Sequence, residues 1–176
     1  MAGCVSSKHA PKPPPDNGGV YRQHNEGYSI LYRLMYDESR VGGIFVIKKA
    51  DDKVKAPIKQ LSDACKAAHQ RLDDFRRMDH RLEFDVPDLP YMEKTSRDLE
   101  AKEDRKLLLF SSGQQFELTL IFTQAQAMNY AVHLCQALEA AEGNPQRKAF
   151  LQDLEHQCNS FHDQLMKMLA VNPGNG

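Results

Sequence analysis

Apolar residues recur at three- and four-residue steps through most of this chain, and the pattern predicts four long helices arranged as two hairpins. From Asp51 onward, Val54, Ile58, Leu61, Cys65, Ala68, Leu72 and Phe75 form an unbroken heptad-like stripe, the strongest periodic signal present. Asp51 suits the N-cap of that second helix, and Pro57 is close enough to its start to be tolerated. A first helix is predicted over about 26–49, where Leu31, Leu34, Met35, Val41 and Phe45 share a face and Gly42-Gly43 permits a bend or a close neighbour. A third is predicted over 114–141, with Leu120, Ile121, Met128, Ala131, Cys135 and Leu138 inward. Gly143-Asn144-Pro145 stops it and starts a fourth, with Pro145 in the first turn and Leu151, Leu154, Cys158, Phe161, Leu165 and Met168 as the stripe. Asn172-Pro173-Gly174 ends the fold.

Between the hairpins, Pro87 and Pro90 break the chain. The charged segment 93–106 that follows has helical propensity but a thin apolar face, so it should cross the bundle surface, and Ser111-Ser112-Gly113 ends it. The predicted organisation is a flexible Pro-rich tether over 1–20 and an all-α, up-down four-helix bundle over 21–172. Its hairpins span 26–80 and 113–170, joined by a helical crossover at 85–112. Short loops within hairpins and one long connection between them is the ferritin-like arrangement, in which the second and fourth helices are expected to lie diagonally.

Composition narrows the function classes. Across 176 residues, 23 Lys and Arg nearly cancel 24 Asp and Glu, so no basic field is expected to hold nucleic acid or an anionic membrane surface. The most apolar runs, 43–47 and 107–110, are too short to span a bilayer. Cysteines at 4, 65, 135 and 158 show no C-x-x-C spacing. The tether carries Pro11, Pro13, Pro14 and Pro15, and its Ala2-Gly3-Cys4 is similar to the end of a bacterial lipobox, which makes Cys4 a candidate for lipidation. Neither a charged n-region nor an apolar h-region stands before Cys4, and Gly at position 3 does not fit N-myristoylation.

One echo could carry chemistry. Glu38 with Cys65 and His69 in the first hairpin is matched by Glu117 with Cys158 and His162 in the second. Each Cys-x-x-x-His pair is one turn apart, and thiolate with imidazole suits zinc or copper. No Glu-x-x-His occurs, the nearest being Asp153-x-x-His156, so a di-iron centre is not expected. The competing expectation, given more weight, is structural. The cysteines are small buried hydrophobes, the histidines flank the stripe, and Glu38 and Glu117 hydrogen-bond inside the bundle to Gln124, Tyr28 or Tyr130. There is no G-x-S-x-G elbow and no phosphate loop, His133 and Cys135 cannot share a helical face, and Met35, Met128, Met166 and Met168 read as core.

Leu89-Pro90, Leu107-Leu108, Ser112-Gly113, Phe116-Glu117, Gln124 and 154–162, with Glu38 and Val54-Lys55, carry a resemblance over about 140 residues. The chain resembles a ferritin-like four-helix domain family of unknown function from bacterial periplasmic and outer-membrane-associated proteins. The resemblance implies a periplasmic or outer-membrane-associated location, against a cytoplasmic alternative, and no established reaction. Cys65 stands where the family has a histidine, with His69 one turn later, and Met128 stands in place of another. The expectation is thus a non-enzymatic structural or interaction module with a protein partner or self-association and no cofactor. The alternative is a small metal-binding or metal-sensing bundle.

Overall fold

The computed structural model describes residues 19–84 and 91–171, which are helical, with no strand among the described residues. In chain order they form α1 (Gly19–Glu38), a 3-10 segment (Val41–Val46), α2 (Asp52–Met78), α3 (Tyr91–Phe110), α4 (Gly113–Ala141) and α5 (Pro145–Val171). Cys4, Pro87, Pro90 and Asn172-Pro173-Gly174 lie outside the described residues, as does the expected tether except its last two positions, which belong to α1.

The stripe of α2 is buried at every expected position from Val54 to Phe75. Asp51 caps this helix, its Oδ1 accepting from the Lys53 N–H at 2.8 Å. On α4 the six expected inward residues are all buried, as are Leu151, Leu154, Cys158 and Leu165 on α5, while Phe161 and Met168 are partly covered. Asn144 caps α5, its Oδ1 accepting from Gln146 N (2.9 Å) and Arg147 N (3.1 Å), which places Pro145 in the first turn as expected.

The first helix departs from expectation at both ends. It starts at Gly19, and its α-helical part stops at Glu38, so Val41 and Phe45 belong to the 3-10 segment. Glycine costs about 1 kcal/mol in a helix interior, and here two are adjacent. A tertiary contact completes the break. Ser62 Oγ on α2 donates to Ser39 O (2.7 Å) and accepts from Gly42 N (3.4 Å), and a Cβ on Gly42 would meet that oxygen at 3.2 Å.

Neighbouring helices run antiparallel. The α4–α5 pair is joined by three residues and pinned by Gln136 to Glu155 and Gln152 to Glu139, both 2.7 Å. Against α2, Tyr32 donates to Asp73 (3.0 Å), and nearer the start of α1 Asn25 donates to Arg81 O (2.9 Å). Against α4, Tyr28 reaches Glu142 beyond the far end, while Glu38 meets Gln124 nearer the start. Between α2 and α5, the rings of Phe75 and Phe150 lie 5.3 Å apart. This corrects the expected diagonal placement: α2 lies beside α5, because one hairpin packs α1 on α4 and α2 on α5.

α3 is largely exposed, touches α4 and contributes the partly buried Leu108 to the core. Gly113 opens α4 at φ +57°, a left-handed conformation that glycine adopts without penalty. Gly113→Ala should therefore cost about 1 kcal/mol in chemical denaturation, and an unchanged midpoint would mean that the turn relaxes. No helix among the described residues is long and apolar enough to cross a membrane.

Candidate functional site

Three helices bring their cysteines into the core. Cys65 of α2, Cys135 of α4 and Cys158 of α5 are buried free thiols. Burial pushes Cys158 up to about 12. Burial, and then the neighbouring Cys158, pushes Cys65 and Cys135 higher still, with Glu38 adding to the effect at Cys65. Cys158 thus lies near enough to bear electrostatically on Cys65 and Cys135, and all three remain free thiols. Thiols held protonated in an apolar core are poor nucleophiles and poor ligands. In a Cys4→Ser chain, an aromatic disulfide reagent should titrate none of the three in the native state and all three in guanidinium. Rapid labelling of folded protein at any of them would contradict this burial.

His69, His162 and Glu117 do not join the cysteines, and Glu38 bears on Cys65 only through its charge. The His69 ring stacks on Tyr32 (centroids 4.2 Å apart) and lies near Tyr36 (5.4 Å), with Nδ1 3.9 Å from Asp73. His162 sits at the rim of α5, its Nδ1 3.5 Å from Asp163 and its side chain 27% exposed. A step of four residues overshoots a full helical turn by about 40°. That offset carries each histidine from the core seam, where the cysteine sits, to the edge. Glu117, near the start of α4, accepts from Asp51 N at 2.6 Å, tying the start of α2 to the start of α4. Glu38, the last residue of α1, pairs with Gln124. Burial raises its carboxyl to about 7, the Gln124 hydrogen bond opposes that rise, and Asp37 adds to it. Among the described residues, no group of three or more His, Cys, Asp or Glu side chains is placed to hold a metal ion.

A polar cluster that sequence reasoning missed lies at the opposite end. Glu142, whose side chain is 1% exposed, accepts from Tyr28 Oη (2.7 Å), Asn144 N (2.7 Å), Arg147 Nε (2.8 Å) and Arg147 Nη2 (3.0 Å). His24 Nε2 lies 3.3 Å away, off the line of a good hydrogen bond. The remaining arm of Arg147 donates to Asp79 at 2.9 Å. Burial disfavours the Glu142 carboxylate, but the contacts from His24, Arg147, Asn144 and Tyr28 outweigh it and hold the group well below the usual range. Asp79 is held low chiefly by its two hydrogen bonds from the Arg81 side chain, against a desolvation penalty and with help from Arg147. Tyr28 is pushed up by burial and then by Glu142. A buried, fully engaged carboxylate joins α1, α2 and the α4–α5 turn, and offers nothing to a substrate. Its signal in the sequence is slight: an acid and a base five positions apart around the Gly143-Asn144-Pro145 stop.

No family model, curated protein or solved structure matches this chain.

Proposed function

We propose that this chain is a non-enzymatic interaction module, an up-down four-helix bundle of ferritin-like arrangement that works at the cell envelope and presents α3 to a partner. One observation carries the reading. Met92, Leu99 and Phe110 recur at steps of seven and eleven residues, so they share one face of α3, and they are 75%, 59% and 86% exposed. Ala101, Asp104 and Leu108 occupy the opposite, covered face. A helix that already packs on one side and keeps large apolar groups on the other is built to meet something else. The candidate chemical groups support the same view, because the thiols are sealed in and Glu142 and Glu117 are engaged in holding helices together. The envelope part rests on Ala2-Gly3-Cys4 and the Pro-rich stretch after it.

The test is a stability comparison. Leu99→Ser with Met92→Ser should change the unfolding free energy by no more than about 0.5 kcal/mol, as exposed positions do. A loss above about 2 kcal/mol would mean that this face packs within the chain, and the interaction reading would fall.

A further inference from the structure

We propose that the tip formed by the 3-10 segment and the C-terminal end of α3 docks on an anionic lipid surface. The proposal deepens the interaction reading above and rests on it. Two separate connections build the tip, and Lys48 joins them by donating its Nζ to the carbonyl oxygens of Leu109 and Ser111, the latter at 2.9 Å. Around that clasp, Val46 is 88% exposed, Ile47 67% and Phe110 86%, with Leu107 and Leu109 about half exposed. Side chains so exposed stand proud of the surface, so the tip is a knuckle that enters a partner.

Charge decides which partner. Segments 40–63 and 102–117, which include Asp63 beside Gly42-Gly43 and Glu117 on the Asp51 N–H, hold nine Lys and Arg against six Asp and Glu, whereas the rest of the chain holds 14 against 18. The near-neutral chain average therefore hides a basic end. Two of the six acids are engaged locally, Asp51 in capping α2 and Glu117 in accepting from the Asp51 N–H. Lys49, Lys53, Lys102, Arg105 and Lys106 are exposed beside the apolar side chains. Aromatic and aliphatic groups ringed by Lys and Arg match an interface of acyl chains beneath anionic headgroups. A second copy fits poorly, since a two-fold contact through this face would set basic residues against the same basic residues. A fluid surface also demands no shape complementarity from two short protruding segments.

The experiment is flotation of the purified full chain with vesicles of phosphatidylcholine alone and of phosphatidylcholine mixed with phosphatidylglycerol. Binding is expected to the mixed vesicles, to weaken with added salt, and to fall about fivefold for each of Lys49→Gln and Lys106→Gln. Ile47→Ser with Phe110→Ser should abolish it while leaving the thermal unfolding curve unchanged, since both residues are exposed. Equal binding to both vesicle types, binding that survives the Ile47/Phe110 pair, or no binding at all would overturn the proposal. If the chain instead forms concentration-dependent dimers that the Ile47/Phe110 pair abolishes, the tip is a protein interface; the lipid proposal falls and the interaction module stands. Loss of folding stability in the Met92/Leu99 pair would remove the module itself, independently of any vesicle result.

Discussion

Arg147→Ala is expected to destabilise the fold by about 3–5 kcal/mol, the usual cost of removing one partner from a buried ion pair. The Arg147 side chain is 11% exposed and makes hydrogen bonds to both oxygens of Glu142 and to Asp79. Without it, Glu142 keeps the Tyr28 and Asn144 donors but loses its compensating charge in a site that water barely reaches. For a chain of this size the loss should lower Tm by about 10 °C or more. Arg147→Lys should recover only part of it, because an ammonium cannot address two carboxylates with a planar fork. The diagnostic comparison is Arg147→Met with Glu142→Gln. If an unpaired charge causes the damage, the double variant will be more stable than Arg147→Met alone. A double variant that is the less stable of the two would show that the hydrogen bonds, and not the lone carboxylate, set the cost. The pH sign follows from the depressed carboxyl of Glu142. Its contribution is complete above the unfolded value of 4.5 and is lost as pH falls through its lower folded value, so acid should erase the difference between wild type and Arg147→Met.

Periodicity makes the scaffold legible and leaves the polar chemistry obscure, for a physical reason visible at individual residues. Burial of a helical stripe is a local, repeated signal, and in α2 it identifies each buried apolar residue from Val54 to Phe75 but not the buried Ser62. The end of α1 escapes it because Leu31 and Met35 continue smoothly toward Val41 and Phe45. What stops the helix is a hydroxyl on α2, 23 positions away at Ser62, acting with two glycines whose pattern alone fits a bend equally well. Candidate ligands suffer from the same limit. Spacing places Cys65 and Cys158 inward, and both are buried. It cannot say that a 40° offset turns His69 into a stack on Tyr32, nor that Glu117 caps a different helix. Gln124 is legible only as one of three partners open to Glu38, because the helix expected over 26–49 puts that acid mid-helix and not at the end where the structure has it. The Tyr28–Glu142–Arg147–Asp79 cluster is not legible, since its hydrogen-bonded partners lie as far as 114 positions apart and share no period.

Glu38→Gln is expected to stabilise the protein above pH 7 and to change it little near pH 4. The carboxyl lies at the C-terminal end of α1, where the helix dipole disfavours negative charge, with Asp37 next to it and the Cys65 thiol in the adjacent core. Gln124 offers one amide to it, yet Gln124 Oε1 is buried with no hydrogen-bond partner, so a neutral acid supplies a donor where the carboxylate supplies only acceptors. Burial, with Asp37 adding to it, raises the group from 4.5 to about 7 against the opposing Gln124 hydrogen bond. Below pH 4.5 the side chain is neutral in both folded and unfolded chains and contributes no pH dependence. Between 4.5 and 7 the unfolded chain releases the proton while the folded chain holds it, so the folded state binds more protons and stability falls as pH rises. Above 7 both states are ionised and the loss is complete, at most about 3 kcal/mol, since each tenfold difference in proton affinity is worth about 1.4 kcal/mol. The glutamine variant removes this slope without removing the pairing to Gln124. Urea unfolding of both proteins at pH 4, 6 and 8 measures the difference directly: the gap should open progressively in favour of Glu38→Gln, and parallel curves across that range would show that Glu38 titrates as an ordinary surface carboxylate.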